Sequence, residues 1–272
     1  MNEPEATHAI MLDGRRYGWR AVGDGPPLLL LNGYAGSARD WDPVFLGTLA
    51  RSFRVICPDH RGIGASQLGT GEAITIEALA ADVIALLDAL EIERAPLVGW
   101  SMGSFIAQRV VTLAPTRVSA LALLSSDPGG PGAVLSDDAV WAGLTDYSDS
   151  PRAQASRVIA LLFPATLAAA IDAQVGDLVA AAKGELNPAA LAAQETAILA
   201  WHAADQPPPP SGSPPVLIAH GDEDVIIPAA NAELLAAHWP GARVEHFPGA
   251  GHAFMAQEPE RLGALITGFV NG

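Results

Sequence analysis

The chain has 272 residues, a formal net charge of -15 and one cysteine, Cys57. Half of its residues are hydrophobic, enough for one large α/β domain with an insertion or for two small domains. The acidic balance speaks against nucleic acid or an anionic membrane surface as partner, since both need basic patches, and one cysteine excludes an intrachain disulfide.

The first residues are acidic and lack the apolar stretch of a signal peptide. No uninterrupted apolar run approaches the roughly 18 residues of a membrane span, so a cytoplasmic protein is expected. Strands are expected at Ala9–Leu12 and Arg16–Val22, joined by the two-residue turn Asp13-Gly14. Pro26–Leu31 is a continuous apolar run of strand length, as a strand buried on both faces requires. Arg54–Cys57 follows, with Cys57 as a small buried residue in preference to a thiol nucleophile. Thr75 is placed to cap a helix in which Ile76, Leu79, Val83, Leu86, Leu87 and Leu90 recur at helical spacing. A strand at Pro96–Trp100, a helix at Met102–Leu113 and a strand at Val118–Leu124 continue the alternation. Alternating β and α elements after a hairpin predict an α/β fold, a mostly parallel central sheet covered by helices on both faces. In such sheets ligands bind beyond the carboxyl ends of the strands.

The rhythm changes at Asp127-Pro128-Gly129-Gly130-Pro131. From there to Asp205 the sequence is rich in Ala and Leu, helical in pattern and without a convincing strand. Gln206–Pro215 is nearly all Pro, Ser and Gly and reads as a stiff linker. Strands return at Val216–Ala219 and Arg243–Phe247, with helices at Ala229–His238 and Pro259–Val270. The expected organisation is a core of residues 1–126 and 206–272 interrupted by a helical insertion at 127–205.

Leu97-Val98-Gly99-Trp100-Ser101-Met102-Gly103 sets Gly-x-Ser-x-Gly between a strand and a helix. Such a turn is too tight for side chains two residues either side of the serine, and it lifts the Ser101 hydroxyl out of the sheet. A serine hydroxyl needs a base within hydrogen-bond reach, and the base needs an orienting acid. His252, in the glycine-rich loop after the last strand, is the best base; His246 and His220 read as structural. The segment His220-Gly221-Asp222-Glu223-Asp224 offers three carboxylates, of which spacing favours Asp224; Asp127, also just after a strand, is the rival. An oxyanion needs two N–H donors: the backbone of Met102, at the start of its helix, and that of Tyr34, which Gly33 allows to turn inward. Trp100 beside the serine suits a substrate wall or plain core packing equally.

These residues strongly resemble the α/β-hydrolase family of serine esterases, lactonases and related acyl hydrolases. The resemblance also takes in Asn32-Gly33-Tyr34, where members often have His-Gly, and Asp59-His60-Arg61-Gly62-Ile63-Gly64-Ala65-Ser66, which looks like the family's Asp-x-Arg-Gly-x-Gly-x-Ser loop. It implies Ser101, Asp224 and His252 as a triad, Tyr34 and Met102 as oxyanion-hole donors, Gly33 and Trp100 at the substrate, Asp59–Ser66 as support, and the helical insertion at 127–205 as a cap. No zinc-spaced Cys/His cluster, phosphate loop or dinucleotide fingerprint is present, so no cofactor and no metal are expected. The expected partner is a small neutral or apolar acyl compound, with no nucleic acid and no membrane. Ester or lactone hydrolysis is the leading expectation. Carbon–carbon bond hydrolysis and perhydrolase-type haloperoxidase chemistry use the same triad and stay open, as does a receptor-like binding module with little turnover.

Overall fold

The computed structural model describes residues 7–69, 71 and 73–272; the acidic first residues lie outside them. The chain opens with β1 (His8–Leu12) and β2 (Arg15–Val22), paired antiparallel from His8↔Trp19 to Leu12↔Arg15. The turn between them carries positive φ at Asp13 (48°) and Gly14 (77°), as a two-residue hairpin demands. Then follow β3 (Pro27–Leu31), α1 (Pro43–Ala50), β4 (Arg54–Pro58), α2 (Ile76–Ala89), β5 (Ala95–Trp100), α3 (Met102–Leu113) and β6 (Val118–Leu124). After four further helices come β7 (Val216–Gly221), α8 (Asn231–His238), β8 (Arg243–Phe247), α9 (Phe254–Gln257) and α10 (Pro259–Asn271).

The eight strands form one sheet in the order β1-β2-β4-β3-β5-β6-β7-β8. Pairs β1–β2 and β2–β4 are antiparallel and every later pair is parallel. Leu28, Leu29, Leu30 and Leu31 are fully buried, because their alternate side chains meet helices on opposite faces. Leu29 and Leu31 join α2 and α3 in one apolar layer; Leu28 and Leu30 join α1, α9 and α10 in the other. Cys57 lies buried in that second layer. Thr75 caps α2 as expected, its hydroxyl accepting the Ala78 N–H at 3.0 Å.

Between β6 and β7 lie α4 (Asp138–Thr145), α5 (Pro151–Leu162), α6 (Ala165–Gly184) and α7 (Pro188–Ala203), and no strand is described there. By length and composition α6 is apolar enough to cross a membrane. It packs instead along α5, and Arg152 of α5 pairs with its Asp172 and Asp177. The structure adds two helices absent from the sequence expectation, α1 and the four-residue α9. Asp42 caps α1 through the Val44 and Phe45 N–H groups, with Pro43 at its first position, whereas α9 begins after Ala253 without a side-chain cap.

Candidate active site

β5 ends at Trp100 and α3 begins at Met102, so the whole reversal falls on Ser101, at φ 54° and ψ -127°. This is a strained conformation for a residue with a side chain. Its surroundings over-determine it. A Cβ on Gly99 would sit 2.4 Å from the Gly103 carbonyl oxygen, and one on Gly103 would sit 2.2 Å from that of Leu31. The turn is thus wedged against the end of β3, and neither position admits a side chain. Ser101 is buried but for a small exposed portion.

Asp224 and His252 come from the loops after β7 and β8. Asp224 Oδ1 accepts the Ile226 and Ile227 N–H groups, both at 2.9 Å, which leaves Oδ2 for His252 Nδ1 at 2.8 Å. The fully buried His220 donates from Nε2 to the Ile227 carbonyl at 2.8 Å and lies 3.5 Å from the same Oδ2. Burial alone would push the Asp224 carboxyl up. The facing His252, with hydrogen bonds from His220 and His252, outweighs it and holds the group well below the usual carboxylate range. Asp222 and Glu223 are exposed, as expected, and Asp222 pairs with His246 at 2.8 Å. Among the described residues no hydrogen bond joins Ser101 to His252, a contact that commonly tightens only around substrate.

The second rim is the loop after β3. Gly33 approaches the serine so closely that a Cβ there would lie 3.1 Å from Ser101 Cβ and 3.3 Å from the Trp100 ring. Tyr34 N–H therefore belongs to a segment lying against Ser101. Met102 N–H opens α3, where the first amides of a helix have no acceptor within it. Asn32 turns inward: its Oδ1 accepts the Gly33 N–H at 2.8 Å and its Nδ2 donates to the Ser37 carbonyl at 2.6 Å. His60, fully buried, donates to the Asn32 carbonyl at 2.9 Å. Asp59 accepts the Ala38 and Ala65 N–H groups, and Arg61 binds Asp82. The Asp59–Ser66 loop thus holds the Gly33 loop from below. Trp100 donates its indole N–H to the His252 carbonyl at 2.9 Å and packs on Trp41, so it braces the histidine loop.

The match to the alpha/beta hydrolase fold family runs from residue 26 to residue 259. The chain belongs to this family. It is 29% identical over 265 residues to a pimeloyl-[acyl-carrier protein] methyl ester esterase of Nitrosomonas europaea, covering 89% of this chain and 94% of that one. It is 39% identical over 105 residues to the protein designated non-heme bromoperoxidase BpoC of Mycobacterium tuberculosis, a match spanning 38% of this chain and 39% of that protein. The enol-lactonase from Burkholderia xenovorans LB400 superposes with a TM-score of 0.82 at 24% identity, over 97% of this chain and 100% of that one, a likeness of fold.

In this family member the rival acid, Asp127, makes its side-chain contacts elsewhere than at His252. It is buried, accepts the Gly129 N–H at 2.7 Å and the Trp201 indole at 3.1 Å, and pairs with His202 at 3.0 Å. Trp201 stacks on Phe105 and lies under Arg109. Asp127 therefore ties the start of the four-helix segment to its end. One cavity of about 430 Å³ is lined by Phe163, Pro164, Val225 and Asp224 among others. Another, of about 400 Å³, is lined by Tyr147, Lys183, Leu191 and Glu195 among others. Among the described residues no three His, Cys, Asp or Glu side chains are placed to hold a metal ion. The sequence reading missed Gln194 and Glu195, which contact the Tyr34 loop; a Gln-Glu pair inside a helix carries no local signal.

Proposed function

We propose that this α/β hydrolase cleaves a carboxylic ester or lactone through an acyl-enzyme on Ser101, with no cofactor, and that residues 127–205 are its cap. The observation that carries the reading is the buried Asp224–His252 pair, 2.8 Å apart, at the strand ends where the strained Ser101 turn also sits. An aspartate held ionised fixes His252 with Nδ1–H toward it, which presents a bare Nε2 as base.

His252 Nε2 takes the Ser101 Oγ proton as Oγ bonds to the substrate carbonyl carbon. The Tyr34 and Met102 N–H groups receive the oxyanion, each worth roughly 3–4 kcal/mol to the transition state. Collapse breaks the carbon–oxygen bond, and the departing alkoxide takes the proton from His252; in a lactone it stays tethered to the acyl group. Water, deprotonated by His252, then attacks the acyl-enzyme, and the carboxylic acid leaves as Ser101 regains its proton. The cavity beside Asp224 sets Phe163, Pro164 and Val225 next to the carboxylates of Asp222 and Glu223, a lining that supports a neutral acyl group over an anionic one. A binding module without turnover has no use for a buried acid–imidazole pair, while carbon–carbon hydrolysis or perhydrolysis would use the same three residues.

A p-nitrophenyl ester panel of graded acyl length tests the reading. Asp224→Asn should lower kcat by roughly 10³–10⁴-fold, since it sets the wrong imidazole tautomer. Asp127→Asn should lower it less than about tenfold, since Asp127 serves only the junction. The reverse order would assign the acid to Asp127, and equal kcat in all three proteins would remove the triad.

A further inference from the structure

We propose that α7, through Gln194 and Glu195, completes the positioning of the oxyanion loop at residues 33–35 that the core begins, so that the hole is complete only with the cap seated. The proposal rests on the serine-hydrolase reading above and adds to it two positioning residues.

The buried face of α7 consists of Ala190, Leu191, Gln194, Ala197, Ile198 and Trp201, and Gln194 is its one polar member. Gln194 is fully buried, and its Oε1 accepts the Ala35 N–H at 3.0 Å. That bond fixes which way the amide faces, and Nε2 finds no acceptor among the described residues. A buried amide with its donor end unmatched is costlier than an aliphatic side chain. The one contact that offsets this is to a loop amide that would itself be unmatched without it. Ala35 needs the help: its φ is 58°, left-handed for a residue with a Cβ. The adjacent residue makes the second contact, Tyr34 donating its hydroxyl to Glu195 Oε1 at 2.6 Å. Burial, the Glu195 bond and the neighbouring Tyr147 push the Tyr34 hydroxyl far up, so it remains a donor at any working pH. The peptide between Ala35's N–H and Tyr34's side chain is thus gripped at both ends from the cap. The Tyr34 N–H assigned to the oxyanion hole belongs to the residue whose hydroxyl is held and stands one residue before the held Ala35 N–H. Core contacts alone, from Asn32, His60 and Gly36, reach this loop on its other side.

The test uses Gln194→Met, Glu195→Leu, Tyr34→Phe, the Tyr34→Phe/Glu195→Leu double variant and Glu195→Gln, each first checked for a cooperative melt. Steady-state rates on the best p-nitrophenyl ester are read beside the inhibition constant of a trifluoromethyl ketone, which forms an oxyanion at the serine. Gln194→Met should lose about tenfold or more in kcat, with KM changed less than about threefold and ketone affinity falling in step. Tyr34→Phe and Glu195→Leu should each lose about fivefold, and the double variant no more than the worse single, because they break one bond. Glu195→Gln, which keeps an acceptor, should restore most of the rate lost in Glu195→Leu. Unchanged kcat, losses confined to KM, or multiplying losses in the double variant would overturn the proposal. Fluorophosphonate labelling of the wild type separates the two levels: labelling at Ser101 with variants of unchanged kcat sinks only the positioning role, and no labelling at Ser101 sinks the underlying reading and this proposal with it.

Discussion

Three acidic residues stand within three positions after β7, and only one meets His252. The sequence ranks Asp224 by spacing but cannot separate it from Asp127, because both follow strands. The difference is one of hydrogen-bond allotment. Asp224 spends one oxygen on Ile226 and Ile227 and leaves the other for the imidazole, whereas Asp127 spends both on the junction of the four-helix segment. Ser101 and His252 were legible because their neighbours are glycines, and glycine reports a backbone requirement directly. His60 was read with its loop as support, and its chemistry makes a testable demand. Burial holds its pKa below the ordinary histidine value of 6.5, against the opposing pull of the Asn32 carbonyl and nearby Asp59 and Asp82. Below pH 6.5 the unfolded chain therefore binds a proton that the native state resists, so stability falls as pH drops through that value and is retained above it. Urea denaturation from pH 5 to pH 8 should show wild type losing stability toward pH 5 more steeply than His60→Gln. Parallel curves would show that His60 is protonated in place.

At the scale of elements, the strand–turn–helix at Ser101 and the long apolar strands were read within two residues of their ends. Periodicity of 2 and 3.6 is a local property, and these segments bury one continuous face. Helix α1 was missed for reasons visible in its sequence: eight residues give barely two turns, and Gly47 interrupts them. That glycine and Gly103 make a contrasting pair. Nothing lies within 4 Å of a Cβ at Gly47, whereas a Cβ at Gly103 meets the Leu31 carbonyl oxygen at 2.2 Å. Gly47→Ala should stabilise the protein by about 0.5–1 kcal/mol through helix propensity. Gly103→Ala should destabilise it by several kcal/mol, on the order of the largest single-residue effects, because backbone and not a side chain must move. Thermal melts of the two variants check this; a destabilised Gly47→Ala or a neutral Gly103→Ala would refute the packing described. Asp82 tests the support loop in the same way. It sits on the buried face of α2 against Arg15 and Arg61, and Asp82→Ala should cost about 3 kcal/mol by removing the carboxylate that both buried guanidinium groups bind.

For the whole molecule, the core was legible and the segment over it was not. The core strands carry their burial in unbroken apolar runs, while α4 to α7 are Ala-rich on most faces, so their sequence does not say which side meets the core. Tertiary contacts decide it: Trp201 stacked on Phe105, Asp127 joining both ends of the segment, and Gln194 and Glu195 on the Tyr34 loop. These place the segment over the same strand ends that carry Ser101, Asp224 and His252, where the proposed cap would meet the substrate. The central claim, that this site makes and breaks an acyl-enzyme on Ser101, is tested most directly by trapping that intermediate. Acid quench of wild-type protein during turnover of a p-nitrophenyl ester, followed by peptide mass mapping, should show the acyl mass on the peptide holding Ser101, and Ser101→Ala should lack both adduct and turnover. Turnover persisting in Ser101→Ala, or an acyl adduct on any other residue of a competent enzyme, would contradict the account.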